Sequence, residues 1–530
     1  MLPLSVALLI IVTVISIWVI GRYFKDEKQL RRFPSPSIAA FTPLWSMWQS
    51  WKGTQTIEIC KVHEKLGPVV RIAPNHVSFT DPRAYKDIYG HGAPLVKDDF
   101  YAHIAEGNPS VAQATEKAVH SAKRRALAHV FSAKEITAME PRVLATTQNL
   151  CAAIKNKISG RSVGEHDQTY SVVGSDNCVI FDVRPWVNMF TYDAISNMVF
   201  TNEYGFLKKG SDLCLSTDGA GQKKEVHAMD SFHSASRYNT ITAQLPRPLY
   251  QLCRRFLFWV HGNKAGGYFG GMSRFQVQHR LRNQPAQPDL FSSFPAWPTE
   301  KRPDPMEEDE LVAECATMLD AGNDTTQTTL VNCIFHLASN PEKQEKLYNA
   351  LTSALSIDKK ERADEIDFYV PNAKQIQDIP YLRAVLEENW RCRPPVARGL
   401  PRRTTGQGTT IAGHFIPPGV TVSAPIYALH RNETLFRRPL DFIPERWIPD
   451  EGFGKDEQEA KNLKEYCIPF SLGPRACIGR NLAYMEVSIV VAALVLNFEW
   501  ELAEKCLDMP MIERFNNNPK ELLVKGKVRG

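Results

Sequence analysis

The chain has 530 residues, of which 43% are hydrophobic, 23% are charged and 35 are prolines. That apolar fraction excludes a disordered or collagen-like chain, and a core of this size buries about three quarters of the unfolded surface, so disulfides are not needed for stability. Lysine and arginine number 63 against 58 acids, a net charge of +5, which is too mild and too dispersed for a nucleic-acid binder and leaves an acidic protein or an anionic membrane as the partner of any basic patch.

Residues Leu2 to Ile20 carry no charge. As a helix they would span about 28 Å, close to the hydrocarbon thickness of a bilayer. Arg22, Lys25, Lys28, Arg31 and Arg32 follow directly and keep the bulk of the chain cytosolic. A cleaved secretory peptide would want basic residues before the apolar run and a small-residue cleavage site after it; neither is present. The expectation is a transmembrane signal anchor over 1–21, then a basic, proline-containing hinge over 22–45 marked by Phe33-Pro34-Ser35-Pro36. Eleven cysteines without a CxxC pair fit a reducing compartment and argue against a disulfide framework or a zinc site.

From about 46 to 530 no repeat or long low-complexity tract interrupts the sequence, which reads as one large domain. Gly205 to Lys224, rich in Gly, Ser and Asp, and Asn283 to Pro305, with six prolines, read as loops. A long helix starts near Glu307, where acids crowd the first turn and suit the helix dipole. It stops before Pro341, about 50 Å later. Ala321-Gly322-Asn323-Asp324-Thr325-Thr326 sits in its apolar middle, where Gly322 costs about 1 kcal/mol. A local rule broken in mid-core marks a functional site. A second helix begins near Asp378, with Pro380 in its first turn, and ends at Pro394-Pro395. Short apolar runs between turn residues from Thr409 to Val422 read as strands. The chain is thus mainly α with a minor β region.

Residues 470–479 read Phe-Ser-Leu-Gly-Pro-Arg-Ala-Cys-Ile-Gly, and helix-like sequence follows at once. Cys477 therefore stands at or just before a helix N-terminus, where the dipole and free N–H groups stabilise a thiolate. Gly473 and Gly479 permit backbone conformations and close approach that a side chain would block. Arg475 supplies a guanidinium for a nearby anion. A lone cysteine before a helix is more often plain core, but the ten-residue pattern suits a thiolate bound to a flat metal cofactor bearing carboxylates.

This stretch matches FxxGxRxCxG at every fixed position and resembles the heme-binding signature of the cytochrome P-450 family of heme-thiolate monooxygenases. The resemblance covers 46–530 and implies a single large cytochrome P-450 fold holding heme b (iron protoporphyrin IX). It implies that Cys477 is the proximal ligand, that Arg475 meets a propionate and that Phe470 lies near the thiolate. Ala321 to Thr326 resembles the family's oxygen-activation motif: Gly322 would let the helix pass close to the heme and leave room for dioxygen, and Asp324 and Thr325 would relay protons to it. Glu388 and Arg391 resemble the ExxR element and would form a structural triad with Arg446. The family's WxxxR appears here as His120 to Arg124, which implies propionate contacts for Arg124 and His120. Arg402 is carried over as a further propionate partner.

HSAKRRALAHVFS, GLPRR and ALHRN are similar to the microsomal type of fungi, especially the benzoate-hydroxylase-like and pisatin-demethylase-like groups. With the anchor, this implies a single-pass protein of the endoplasmic reticulum membrane with its catalytic domain on the cytoplasmic face. By the same resemblance, substrate-facing residues include Phe100, Tyr101, Ile104, the region 200–245, Val396 to Gly399 and the tail near Phe515. These favour a small apolar or aromatic substrate. Arg398 is the one charge there, and would suit a carboxylate or else be exposed or propionate-linked. No G-x-G-x-x-G fingerprint appears, so electrons from NADPH would arrive through a separate flavoprotein reductase. The expected reaction inserts one atom of O2 by hydroxylation or epoxidation, in secondary-metabolite biosynthesis. The alternatives are a benzoate-type aromatic acid hydroxylase of catabolism, a reductase-independent heme-thiolate isomerase or dehydratase, and a non-enzymatic heme-binding membrane protein.

Overall fold

The computed structural model describes residues 13, 20–21, 23–105, 108–174, 178–296, 306–357, 368–449, 451–504 and 508–529. Most of the anchor expected over 1–21 lies outside these residues. Ten helices frame the site: α1 Leu44–Lys52, α2 Gln55–Leu66, α3 Asp99–Ile104, α4 Lys117–Leu127, α5 Ala133–Ile158, α6 Arg184–Phe200, α7 Ala228–Thr242, α8 Glu308–Ser339, α9 Pro380–Cys392 and α10 Arg480–Asn497.

α8 is the expected long helix. Glu308, Asp309 and Glu310 occupy its first turn, and the next helix opens on Pro341. Its central and C-terminal turns are buried almost all round, which requires partners on several sides. These include α6, α9, α10 and the helix His261–Arg282. α10 is long and apolar enough to cross a membrane, but 67% of it is buried, so it is a core helix. α9 begins on Pro380, as expected.

A five-stranded sheet lies beside the helices, in the order Val69–Ala73, His76–Phe79, Thr421–Ser423, Arg402–Thr404, Leu95–Lys97. Its register sets Lys97 opposite Arg402. The strand-like stretch after α9 forms as expected. Thr409–Ile411 pairs with His414–Ile416 around Ala412 and Gly413, both at positive φ, as a two-residue hairpin turn demands. A four-stranded sheet holds Phe498–Leu502, Leu523–Val528, Val179–Asp182 and Ser171–Val173. Met511–Glu513 pairs with Asn517–Pro519 in a separate hairpin.

One expectation fails. Gly205 to Lys224 is not a loop: it holds a helical turn, Phe206–Lys209, and the strand Leu213–Thr217, which pairs with Lys223–His227. The Gly and Asp residues that suggested a loop make the hairpin's turn. Asp218 accepts from the N–H groups of Ala220 and Gln222, each at 2.9 Å, and Gly221 takes φ +82°. Cys214 and Ser216 then face inward, the alternation a strand requires.

Candidate active site

A cavity of about 310 Å³ lies between α8 and the loop leading into α10. The loop is built around Gly473, at φ +67°, where a Cβ would come within 2.2 Å of the Tyr89 carbonyl oxygen. Only glycine fits there. The Cys477 N–H donates to the Phe470 carbonyl at 3.0 Å, and Gly479 precedes the first turn of α10. Phe470, Arg475, Cys477 and Gly479 all line the cavity. Cys477 is open by surface area, but it shows that surface to an internal cavity and is otherwise enclosed. Burial therefore pushes its thiol pKa up, against the Gly479 N–H and the charges of Arg124 and Arg480. The helix start alone does not make the thiolate that the sequence suggested. A coordinated metal ion deprotonates a thiol outright.

Across the cavity α8 presents Ala321, Gly322, Thr325, Thr326 and Thr329. The Thr325 hydroxyl donates to the Ala321 carbonyl at 2.8 Å. Gly322 lines the cavity and also makes a packing contact that the sequence did not suggest. A Cβ on it would meet Ile195 of α6 at 2.7 Å, so the missing side chain lets two helices close on each other. Asp324 points out of the cavity wall. It is buried and accepts from Asn516 at 2.7 Å and Asn518 at 2.8 Å, with His233 Nε2 3.5 Å away. Burial raises its pKa, but these contacts outweigh burial and hold it below the usual carboxylate range. His233, itself pushed down to about 4 by burial, contributes the largest of these contacts, followed by the amides of Asn518 and Asn516. Adjacent helix positions point about 100° apart, and here that separates Thr325 from Asp324.

One end of the cavity is cationic. Lys97, His120, Arg124 and Arg475 line it, and Arg402 lies buried behind them over the Tyr89 ring. Arg124 donates to the Ala476 carbonyl at 2.8 Å and Arg475 to that of Ala114 at 2.6 Å. Burial, then the charges of Arg402 and Arg124, pull Arg475 down to about 10. Burial and four neighbouring cations pull His120 down to about 4. Lys97 is lowered by burial, Arg402 and Arg475. Among the described residues no carboxylate forms an ion pair with any of the five. A thiol on one wall, an apolar cleft, and clustered cations lacking a counter-ion fit heme b, whose two propionates supply the missing charge.

A sequence model of the cytochrome P450 family matches residues 36–525. The chain belongs to the cytochrome P450 family. Benzoate 4-monooxygenase bphA of Aspergillus niger is 30% identical over 521 residues, covering 96% of this chain and 94% of that one. The cytochrome P450 monooxygenase btcC of Neocamarosporium betae is 30% identical over 508 residues, covering 92% and 89%. A solved cytochrome P450 structure superposes with a TM-score of 0.70 at 17% identity, covering 94% of this chain and 99% of that one. The protein is a monooxygenase of this family.

Behind the P450's cysteine loop, Glu388, Arg391 and Arg446 meet. Arg391 binds Glu388 through Nε and Nη2, both at 2.8 Å, and Arg446 Nε reaches Glu388 at 3.0 Å. Arg391 also donates to the carbonyls of His430, Pro439 and Asp441. All three side chains are fully buried. Two further members carry no local mark in the sequence: Trp447 donates to Glu388 at 2.9 Å, and Glu459 pairs with Arg446. Lys97 is likewise unmarked, because its place beside Arg402 depends on a strand pairing distant in sequence.

On the outer side, Val111, Leu127, Ile195, Met318, Val396 and Leu400 give this P450 an apolar wall. Phe100, Tyr101, Ile104 and Phe515 do not line the cavity. They form their own cluster with Ala243, and Phe100 and Phe515 of that cluster lie against Arg398.

Proposed function

We propose that this P450 holds heme b through Cys477 and inserts one oxygen atom into a small apolar or aromatic molecule by hydroxylation or epoxidation. The observation that carries the reading is the arrangement around one cavity: the Cys477 sulfur, the Thr325 hydroxyl on the opposing helix, and a cation cluster that no carboxylate pairs with among the described residues. When bound, heme ligated by a thiolate supplies the electron push that favours O–O cleavage.

The chain's own residues do the rest. Arg124, Arg475 and Lys97 neutralise the propionates and His120 donates a hydrogen bond to orient them, with Arg402 behind them. Gly473 seats the loop, and the Glu388, Arg391 and Arg446 triad locks it from behind. Thr325 holds a proton at its hydroxyl facing the cavity, and Asp324, one residue back and outside the cavity wall, relays protons by passing transiently through its neutral acid form. The apolar wall excludes water and selects substrate. That the Aspergillus niger relative is a benzoate 4-monooxygenase supports the aromatic half of this substrate class.

Electrons come from NADPH through a separate flavoprotein reductase. The protein works at the cytoplasmic face of the endoplasmic reticulum membrane, held by an anchor over 1–21 and a hinge over 22–45, in fungal secondary-metabolite biosynthesis. The test is turnover: membranes carrying the protein, a reductase and NADPH are offered candidate extracts, and products are scored for the gain of one oxygen atom. Gain that requires NADPH and Cys477 is expected. Consumption of a hydroperoxide with no NADPH-dependent product overturns the reading.

A further inference from the structure

We propose that Arg398 anchors a substrate carboxylate, so that this P450 takes apolar or aromatic carboxylic acids. The proposal rests on the monooxygenase function above and names the substrate class of the same site.

Arg398 sits in sequence between Val396 and Leu400, both in the cavity wall. It is 8% exposed. Its guanidinium carbon lies 5.3 Å from the Phe100 ring centre and 5.4 Å from that of Phe515, and those rings stack 6.3 Å apart. It makes one hydrogen bond, from Nη2 to the Gln55 carbonyl oxygen at 3.0 Å. Its Nε and Nη1 are buried without a partner. Among the described residues no carboxylate comes within ion-pair distance of it. Glu513 feels its charge, yet gives one oxygen to the Thr56 N–H at 2.7 Å and leaves the other unbonded.

Arg391 shows what a structural arginine looks like in the same protein, with all three guanidinium nitrogens engaged. A buried charge with open donors is costly; Arg398 keeps two, as Arg71 and Arg184 do, but it alone of the three stands between two residues of the cavity wall. Gln55 does not fill them. Its amide nitrogen is bound to Ser46 at 2.5 Å and Gln244 at 3.3 Å, which pins its oxygen toward Arg398 and fixes the guanidinium in place. The two phenyl rings keep water away, so a charge pair formed there is strong. A carboxylate accepting from the open N–H groups leaves its apolar body to run over Val396 and Leu400 into the cavity.

The test compares carboxylic acids from benzoate to dodecanoate with their methyl esters and primary amides, by the Soret shift each induces in the purified holoenzyme. Before titration, each variant is reduced and treated with carbon monoxide. The red-shifted band of heme-thiolate then separates failure of this proposal from failure of the heme reading. Acids should bind about 10- to 100-fold tighter than their neutral counterparts, the value of charge-assisted hydrogen bonds. Arg398→Gln should abolish that preference while leaving ester binding in place. Gln55→Glu keeps the arginine and supplies a carboxylate of its own, so it should also remove the preference. Equal binding of acid and ester by the parent protein, no acid-induced shift at all, or an acid preference that survives both substitutions overturns the proposal.

Discussion

Gly322→Ala tests whether that glycine serves the cavity or the packing of α6 on α8. The new methyl would lie 2.7 Å from Ile195 Cδ1 and 2.9 Å from Cγ1, about 1 Å inside normal contact. Overpacking of this kind costs about 1–3 kcal/mol. Replacing a mid-helix glycine by alanine returns about 1 kcal/mol, so the single variant should lose about 0–2 kcal/mol. Ile195→Ala alone should lose about 2–5 kcal/mol. It removes both clashing carbons, so Gly322→Ala in that background should instead stabilise by about 1 kcal/mol. The coupling energy is then about 1–3 kcal/mol. Urea unfolding of the four holoproteins, followed at the Soret band, measures it. Additive effects would mean that the two residues do not meet and that Gly322 serves the cavity alone.

Glu388→Gln leaves Arg391 and Arg446 buried without their shared carboxylate and should cost about 3–5 kcal/mol, seen as heme loss at lower temperature; an unchanged melting curve contradicts the triad's role. Asp324 has a folded pKa below its unfolded one, so it contributes stability above the unfolded value that is lost as pH falls through the folded value. Asn518→Leu removes a donor and raises that folded pKa, so stability at neutral pH should drop and the acid loss should begin at higher pH. Melting curves from neutral to acidic pH check this, and parallel curves would refute it. Thr325→Ala should lower product formed per NADPH and release peroxide, and unchanged coupling removes Thr325 from the proton path. Cys477→Ser should abolish the red-shifted carbon monoxide band.

What was legible in the sequence is what lies close along the chain. The Phe470–Gly479 loop, the Glu388–Arg391 pair one helical turn apart and the acid-rich start of α8 each carry their geometry in a few adjacent residues. What the sequence hid depends on tertiary pairing. Lys97 joins the cation cluster only because its strand lies against Arg402. The donors that hold Asp324 come from a hairpin nearly 200 residues away. Gly322 is legible as a cavity residue, but the sequence does not show that Ile195 of α6 packs against the same glycine. In the Leu213–His227 hairpin the turn residues outweighed the short strands in composition, and inward alternation showed only once a partner strand was in place.

The Met511–Pro519 hairpin holds Phe515 against Arg398 and, on the next residue, Asn516 against Asp324. A single peptide unit therefore joins the outermost aromatic contact to the acid behind α8. The positions of the Phe515 ring and of the Asn516 amide are therefore set by one short stretch of backbone, and whatever fixes the hairpin tip fixes both contacts at once.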